Sequence, residues 1–199
     1  LIIDIFSRKI VGFRLHTEES SIHASNLVEQ ACLDEKVEPD QLILHQDNGA
    51  PMKGSVFHAT LQKLGVIPSF SRPSVSDDNP YSEALFKTLK YRPEYPKGGR
   101  FSSFDEAREW CEKFVNWYNH QHLHSGLKFL TPVQRHQRED KTILAKRHET
   151  YLRAKEENPI RWSGRMTRNW KLPEAVTLNP DRKNNSLFEK LKPECIMAA

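Results

Sequence analysis

The sequence predicts an α/β fold, a mixed sheet flanked by helices, followed by a helical and irregular basic extension. Three observations carry this. Short apolar runs and amphipathic stretches alternate in the order β-β-α-β-α-β over the first 70 residues, an antiparallel start followed by a strand–helix alternation that favours parallel pairing. Cap and turn residues fall at the junctions. Charge is segregated: residues 1–140 hold 17 Lys/Arg against 19 Asp/Glu, residues 141–171 hold 9 against 3, and residues 172–199 hold 4 of each. The net charge of +4 is therefore one local stretch, the mark of a polyanion contact and not of a generally basic protein.

The elements follow in order. "LIIDIF" and "KIVGFRLH" read as two strands joined by a hairpin at "SRK". "SIHASNLVEQACLDEK" is helical in period, with Ser20 or Ser21 as cap. "QLILHQ" is a strand, "GSVFHATLQKLG" a helix closed by Gly65, and "VIPSFS" a short strand. Pro73 and Pro80 bracket a loop, and Pro80 suits the first turn of a helix over "PYSEALFKTLKY" capped by Asp78 or Asn79. "FDEAREWCEKFVNWYNHQHLH" predicts one long helix. "TPVQRHQRED" opens another with Thr131 as cap, and a charged helix follows at about 141–157. Short strands are expected near "TRNWKL" and "AVTLNP". Residues 1–140 are read as the core domain and 141–199 as a basic helix with an irregular tail.

Composition excludes several classes. With 199 residues and 37% hydrophobic content the chain can bury a core. No run of about 18 apolar residues predicts a membrane span. Cys32, Cys111 and Cys195 are odd in number and scattered, which argues against a disulfide framework or zinc ribbon and fits a cytoplasmic protein. The N-terminus begins inside an apolar run without Met and lacks a signal-peptide pattern, so the chain is expected to continue upstream.

One stretch asks for a chemical explanation. In "LILHQDNGAP" an apolar run ends in Asp47, Asn48 and Gly49. A buried strand followed by ordinary turn residues accounts for it; so does a carboxylate at the end of a central strand, aimed at a ligand. On the helix over 80–91, Tyr81, Leu85 and Leu89 share one side, and Glu83, Lys87 and Lys90 share the opposite one. That face is either a solvated Glu–Lys pair at i, i+4 or a metal-holding carboxylate with two lysines tracking phosphates. Two divalent metals held by carboxylates can activate an attacking oxygen and stabilise a leaving oxygen at one phosphate.

"HQDNGAP" followed, with 35 residues intervening after Asp47, by Glu83 in "NPYSEALFKTLKY" resembles the second half of the DDE signature of retroviral-integrase-type transposases of bacterial insertion sequences. "LIIDIFSRKIVGF" is similar to the second and third strands of that catalytic core, "FVNWYNHQHLHSGLKFLTP" to the segment after its third acid, and "NPIRWSGRMTRNW" to the tail of some members. The resemblance implies a ribonuclease H-like fold, two magnesium ions with manganese as substitute, cleavage of DNA at transposon ends, strand transfer by a 3′-hydroxyl, and a homo-multimer on DNA. By motif position Asp47 is the second acid and Glu83 the third; Lys87 and Lys90 match DNA contacts, and Asn48 and Gly49 shape the loop. The family's first acid precedes "LIIDIF", so this chain is expected to hold two of three catalytic carboxylates, to be inactive alone, and to lack one strand, exposing a sheet edge. Asp4 is read as a structural acid.

His120 and His124 at i, i+4 are a weak zinc candidate, and Phe114, Trp117 and Tyr118 read as core. Arg161, Arg165, Arg168 and Lys171, interleaved with Trp162 and Trp170, read as a DNA-binding stretch. Ser7 and Ser82 have no matched base, and no phosphate loop is present. The alternatives are a non-catalytic DNA-binding or dimerising remnant and a ribonuclease H-like nuclease that cuts without joining.

Overall fold

Five strands form one sheet in the order β2-β1-β5-β3-β4, with helices on both faces, in a computed structural model that describes residues 1–72, 78–178 and 196–198. β1 (Ile2–Asp4) and β2 (Ile10–Gly12) make the antiparallel hairpin, and β3 (Ile43–Gln46) and β4 (Ile67–Phe70) pair in parallel. Between them α1 (Ser21–Asp34) and α2 (Ser55–Lys63) appear where the helical period puts them. The mixed sheet flanked by helices is the expected one.

Strand alternation sorts the core. Ile2 and Val11 face α1 and α2, where they join Val28, Leu44, Phe57 and Leu61. Their neighbours Ile3 and Ile10 point to the other face and meet Leu85, Phe114 and Tyr118. Those last three come from α3 (Pro80–Lys90) and α4 (Phe104–His120). Period 2 in a three-residue strand is enough to feed two separate cores.

Local chemistry fixes the ends. Ser20 caps α1 by accepting the Ile22 N–H. Gly65, at φ +65, lies so close to Pro39 that an added Cβ would approach it to 2.8 Å. Thr131 and Gln134 form a reciprocal capping box on α5 (Pro132–His136). Buried Asn119, in α4, accepts the Ile10 N–H and donates to the Ile10 carbonyl, 2.9 Å each, tying α4 to β2.

Three expectations fail. No strand forms at "TRNWKL" or in the described part of "AVTLNP", residues 175–178. Residues 167–172 lie instead along α6 (Asp140–Glu157), where Trp170 and Leu172 pack with Leu144, Leu127 and Leu130. The long helix stops at His120, and His124 caps a single 3₁₀ turn, so His120 and His124 do not share a helical face. The inner edges of β1 and β3 are not exposed: β5 (Ile196–Ala198) lies between them, antiparallel to β1 and parallel to β3.

Candidate functional site

Asp47 follows the last residue of β3 and is exposed, while Leu44, His45 and Gln46 before it are buried. The strand therefore carries the carboxylate out of the core at its carboxyl end. Asp47 Oδ1 accepts the Gly49 N–H at 2.9 Å, closing a tight turn. A Cβ on Gly49 would sit 2.9 Å from that same oxygen, which is why glycine fits there. Asn48 donates from Nδ2 to the Ser71 carbonyl at 2.7 Å, pinning the loop to the end of β4.

Glu83 lies in the first turn of α3, exposed, with Lys87 and Lys90 in the last turn. Tyr81, Leu85 and Leu89 face the core as the spacing predicts. Asn79 takes the cap position and Pro80 the first turn, but Asn79 makes no side-chain cap bond.

The start of α3 is anchored to the end of β3 through His45, which the sequence did not single out, and Asp78, which it read only as a cap. His45 is buried, with Nδ1 3.0 Å from the Ser69 hydroxyl and Nε2 3.2 Å from that of Ser71. Burial pushes its pKa down, against a smaller upward pull from Asp78. Asp78, one residue before the cap, is buried and takes the Arg72 guanidinium in a two-point pair at 2.9 and 2.8 Å. Asp47 is two residues beyond His45, and Glu83 is one helical turn beyond Asn79, so along the chain each carboxylate is within a few residues of the corner where His45 meets Asp78. The signal was the pair Ser69 and Ser71, two apart on a strand in register with His45.

Among the described residues, two buried polar side chains lack partners: Gln46 at both amide atoms, and Ser82 at its hydroxyl. Each immediately precedes one of the carboxylates.

Both carboxylates are hard oxygen donors of the kind magnesium takes. Asp47 spends one oxygen on a local N–H, and Glu83 enters no ion pair among the described residues. Among those residues no group of three or more His, Cys, Asp or Glu side chains gathers to hold a metal. Each carboxylate, by its chemistry, fits magnesium.

Other predicted residues stand elsewhere. Arg161 is exposed on α7 (Pro159–Trp162), and Arg165 is exposed just after it. Arg168 and Lys171 flank α6, with Arg168 over the rings of Phe129 and Trp170. Trp162 and Trp170 both meet Tyr151 edge to face. His122 stacks on Tyr118, and burial, reinforced by Arg8 and His122, holds His124 down to about 4, so these histidines are packed neutral groups. Asp4 accepts hydrogen bonds from Phe6 N, Ser7 N and the Ser7 hydroxyl. No helix among the described residues is long and apolar enough to cross a membrane.

The integrase core domain model matches residues 64–132, which include Glu83. The transposase for insertion sequence element IS904 of Lactococcus lactis is 34% identical over 131 residues, covering 65% of this chain and 51% of the relative. The putative transposase InsK for insertion sequence element IS150 of Escherichia coli is 27% identical over 134 residues, 67% of this chain and 46% of the relative. The chain spans about half the length of these relatives. The catalytic core domain of BIV integrase gives a TM-score of 0.46 at 17% identity, over 68% of this chain and 84% of that one. By its sequence this chain is similar to transposases of bacterial insertion sequences, and its residues 64–132 match the integrase core domain.

Proposed function

We propose that this chain forms the larger part of a ribonuclease H-like transposase core that cuts DNA at element ends and joins the freed 3′-hydroxyl to target DNA. The observation that supports the reading is Asp47 exposed just past the carboxyl end of β3 and Glu83 exposed in the first turn of α3, with His45 of β3 held against Asp78 just before that helix. In each step a hydroxyl oxygen, of water for end cleavage and of the DNA 3′ end for transfer, attacks phosphorus. The bond to the departing 3′-oxygen breaks, and the attacking group's proton passes to solvent. Asp47 and Glu83 would hold magnesium, or manganese in its place; the chemistry supplied is activation of the attacking oxygen and stabilisation of the leaving one. Rigid placement on a strand end and a helix suits this task, because phosphoryl transfer depends on positioning and electrostatics. Lys87 and Lys90, on the Glu83 face, would meet the DNA backbone, and the working form would be a homo-multimer on paired DNA ends.

The test is strand transfer of a labelled element end in manganese, using the protein expressed from its complete reading frame. Joined product that disappears in Asp47→Asn and in Glu83→Gln supports the reading. Activity unchanged in both variants, or cut ends that are never joined, overturns it.

A further inference from the structure

A cleft of about 1160 Å³ runs between α6 and residues 166–174, away from the Asp47 and Glu83 corner in sequence and in element. Its walls carry Arg138, Lys141, Arg168 and Lys171. Two further charged groups in the lining, Arg135 and Asp140, are buried and paired with each other, so they cancel. One more carboxylate, Glu174, faces the four cations. A cleft walled by one sign of charge over a low-dielectric floor, here buried Leu144, concentrates the field on an anion.

The arginines are also held in place. The Arg138 guanidinium lies 4.4 Å from the Phe6 ring centre. That of Arg168 lies 5.0 Å from Phe129 and 5.4 Å from Trp170, and Trp170 is itself braced by Tyr151. For Arg168, such ring contacts orient the guanidinium through its face and keep its edge N–H donors for oxygen acceptors. Trp170, interleaved with this basic stretch, therefore acts as a support for Arg168. A charge run that is merely solvated needs no such bracing.

We propose that this cleft binds the phosphodiester backbone of nucleic acid, as a second contact separate from the carboxylate corner. The proposal rests on the DNA-acting function above and adds a place. It brings in Lys141, which no motif marked, and sets Arg161 and Arg165 aside, since neither lines the cleft.

The experiment is anisotropy of labelled DNA with this chain across a salt series, in one arm a duplex and in the other a single strand of the same sequence. Lys141→Ala with Lys171→Ala removes two exposed charges and no packing. That double variant should flatten the plot of log affinity against log salt by about 1.8 on duplex or about 1.4 on single strand. Arg168→Ala should weaken binding, and Arg168→Lys should recover only part of it. A loss in either arm supports the cleft and names the form of nucleic acid it takes. An unchanged slope in the double variant, with Lys87→Ala and Lys90→Ala still weakening binding, overturns the cleft and leaves the transposase reading standing. A wild-type chain that binds neither form overturns both.

Discussion

Asp4 and Asp47 each close a short apolar strand of the same sheet, and their surroundings differ in kind. Asp4 is enclosed: it accepts the Phe6 and Ser7 N–H groups and the Ser7 hydroxyl, and His136 Nδ1 stands 3.3 Å from it. Burial alone would raise its pKa, but the hydrogen bonds from His136, Ser7 and Phe6 outweigh that and hold it below the usual value. His136 continues to Glu35 at 2.8 Å, and Glu35 to Lys9 at 2.6 Å, so one network ties the β1–β2 hairpin, the end of α1 and α5 together. Asp47 is exposed and accepts one N–H from its own loop. A carboxylate whose lone pairs are used up locally is a fixture of the fold; one with oxygens left over can take a ligand. The Ser7, His136 and Glu35 arrangement also looks like a nucleophilic triad, but Ser7 is fully buried and no substrate can reach it.

The comparison breaks most easily at its functional end. Asp47→Asn and Glu83→Gln should each cut joined product by about 100-fold or more. Their thermal unfolding should stay within about 0.5 kcal/mol of wild type, as for exposed substitutions generally. Asp4→Ala should do the reverse, costing on the order of 3 kcal/mol in urea unfolding, because it strands several partly buried donors. If Asp47→Asn unfolds the chain, or Asp4→Ala leaves the urea midpoint in place, the division between the two aspartates is wrong.

The pH dependence of stability sharpens the same division. The hydrogen bonds to Asp4 and Glu35 raise the His136 pKa from its ordinary 6.5 to about 9. A raised pKa means that the imidazolium's contribution is fully present below pH 6.5 and fades as pH climbs through 9. The hydrogen bond from His136, helped by Lys9 and opposed by burial, takes Glu35 down to about 2. Its contribution is present above the ordinary 4.5 and fades as pH falls towards 2. The urea midpoint should therefore drop between pH 7 and about pH 9.5, and His136→Gln should remove most of that drop. An equal drop in the variant would locate the titrating group elsewhere.

What could be read from the sequence was local. Ser20, Gly65, Pro80 and Thr131 mark real element ends, because a cap or a first turn involves residues within four positions. Asp47 and Glu83 stand where strand end and helix face predict, since period alone decides exposure. What escaped is mainly non-local. β5 is three residues long, and its place depends on partners more than 150 residues away in sequence. The end of α4 escaped through short-range contacts instead: His122 stacks on Tyr118, and His124 bonds Leu130 by N–H to carbonyl at 3.0 Å. "TRNWKL" alternates as a strand would, but it lies against α6 with no strand beside it. Near the candidate site, His45 went unread for the same reason as β5: it bonds Ser69 and Ser71, more than 20 residues further along the chain.

The smallest effect tests the two readings of α3 directly. Lys87 and Lys90 lie in its last turn, where cations are favourable to the helix dipole whatever the protein does. If that is their only role, Lys87→Ala should cost about 0.3–1 kcal/mol of stability, most visibly at low salt, and leave DNA affinity alone. If Lys87 meets a phosphate, the variant should flatten the salt dependence of duplex binding by about 0.9, uniformly across DNA sequences. The two outcomes separate by instrument, calorimetry for one and anisotropy for the other. Glu83→Gln removes the carboxylate from the same exposed face, so on the phosphate reading it should strengthen duplex binding in the absence of divalent metal while abolishing joining.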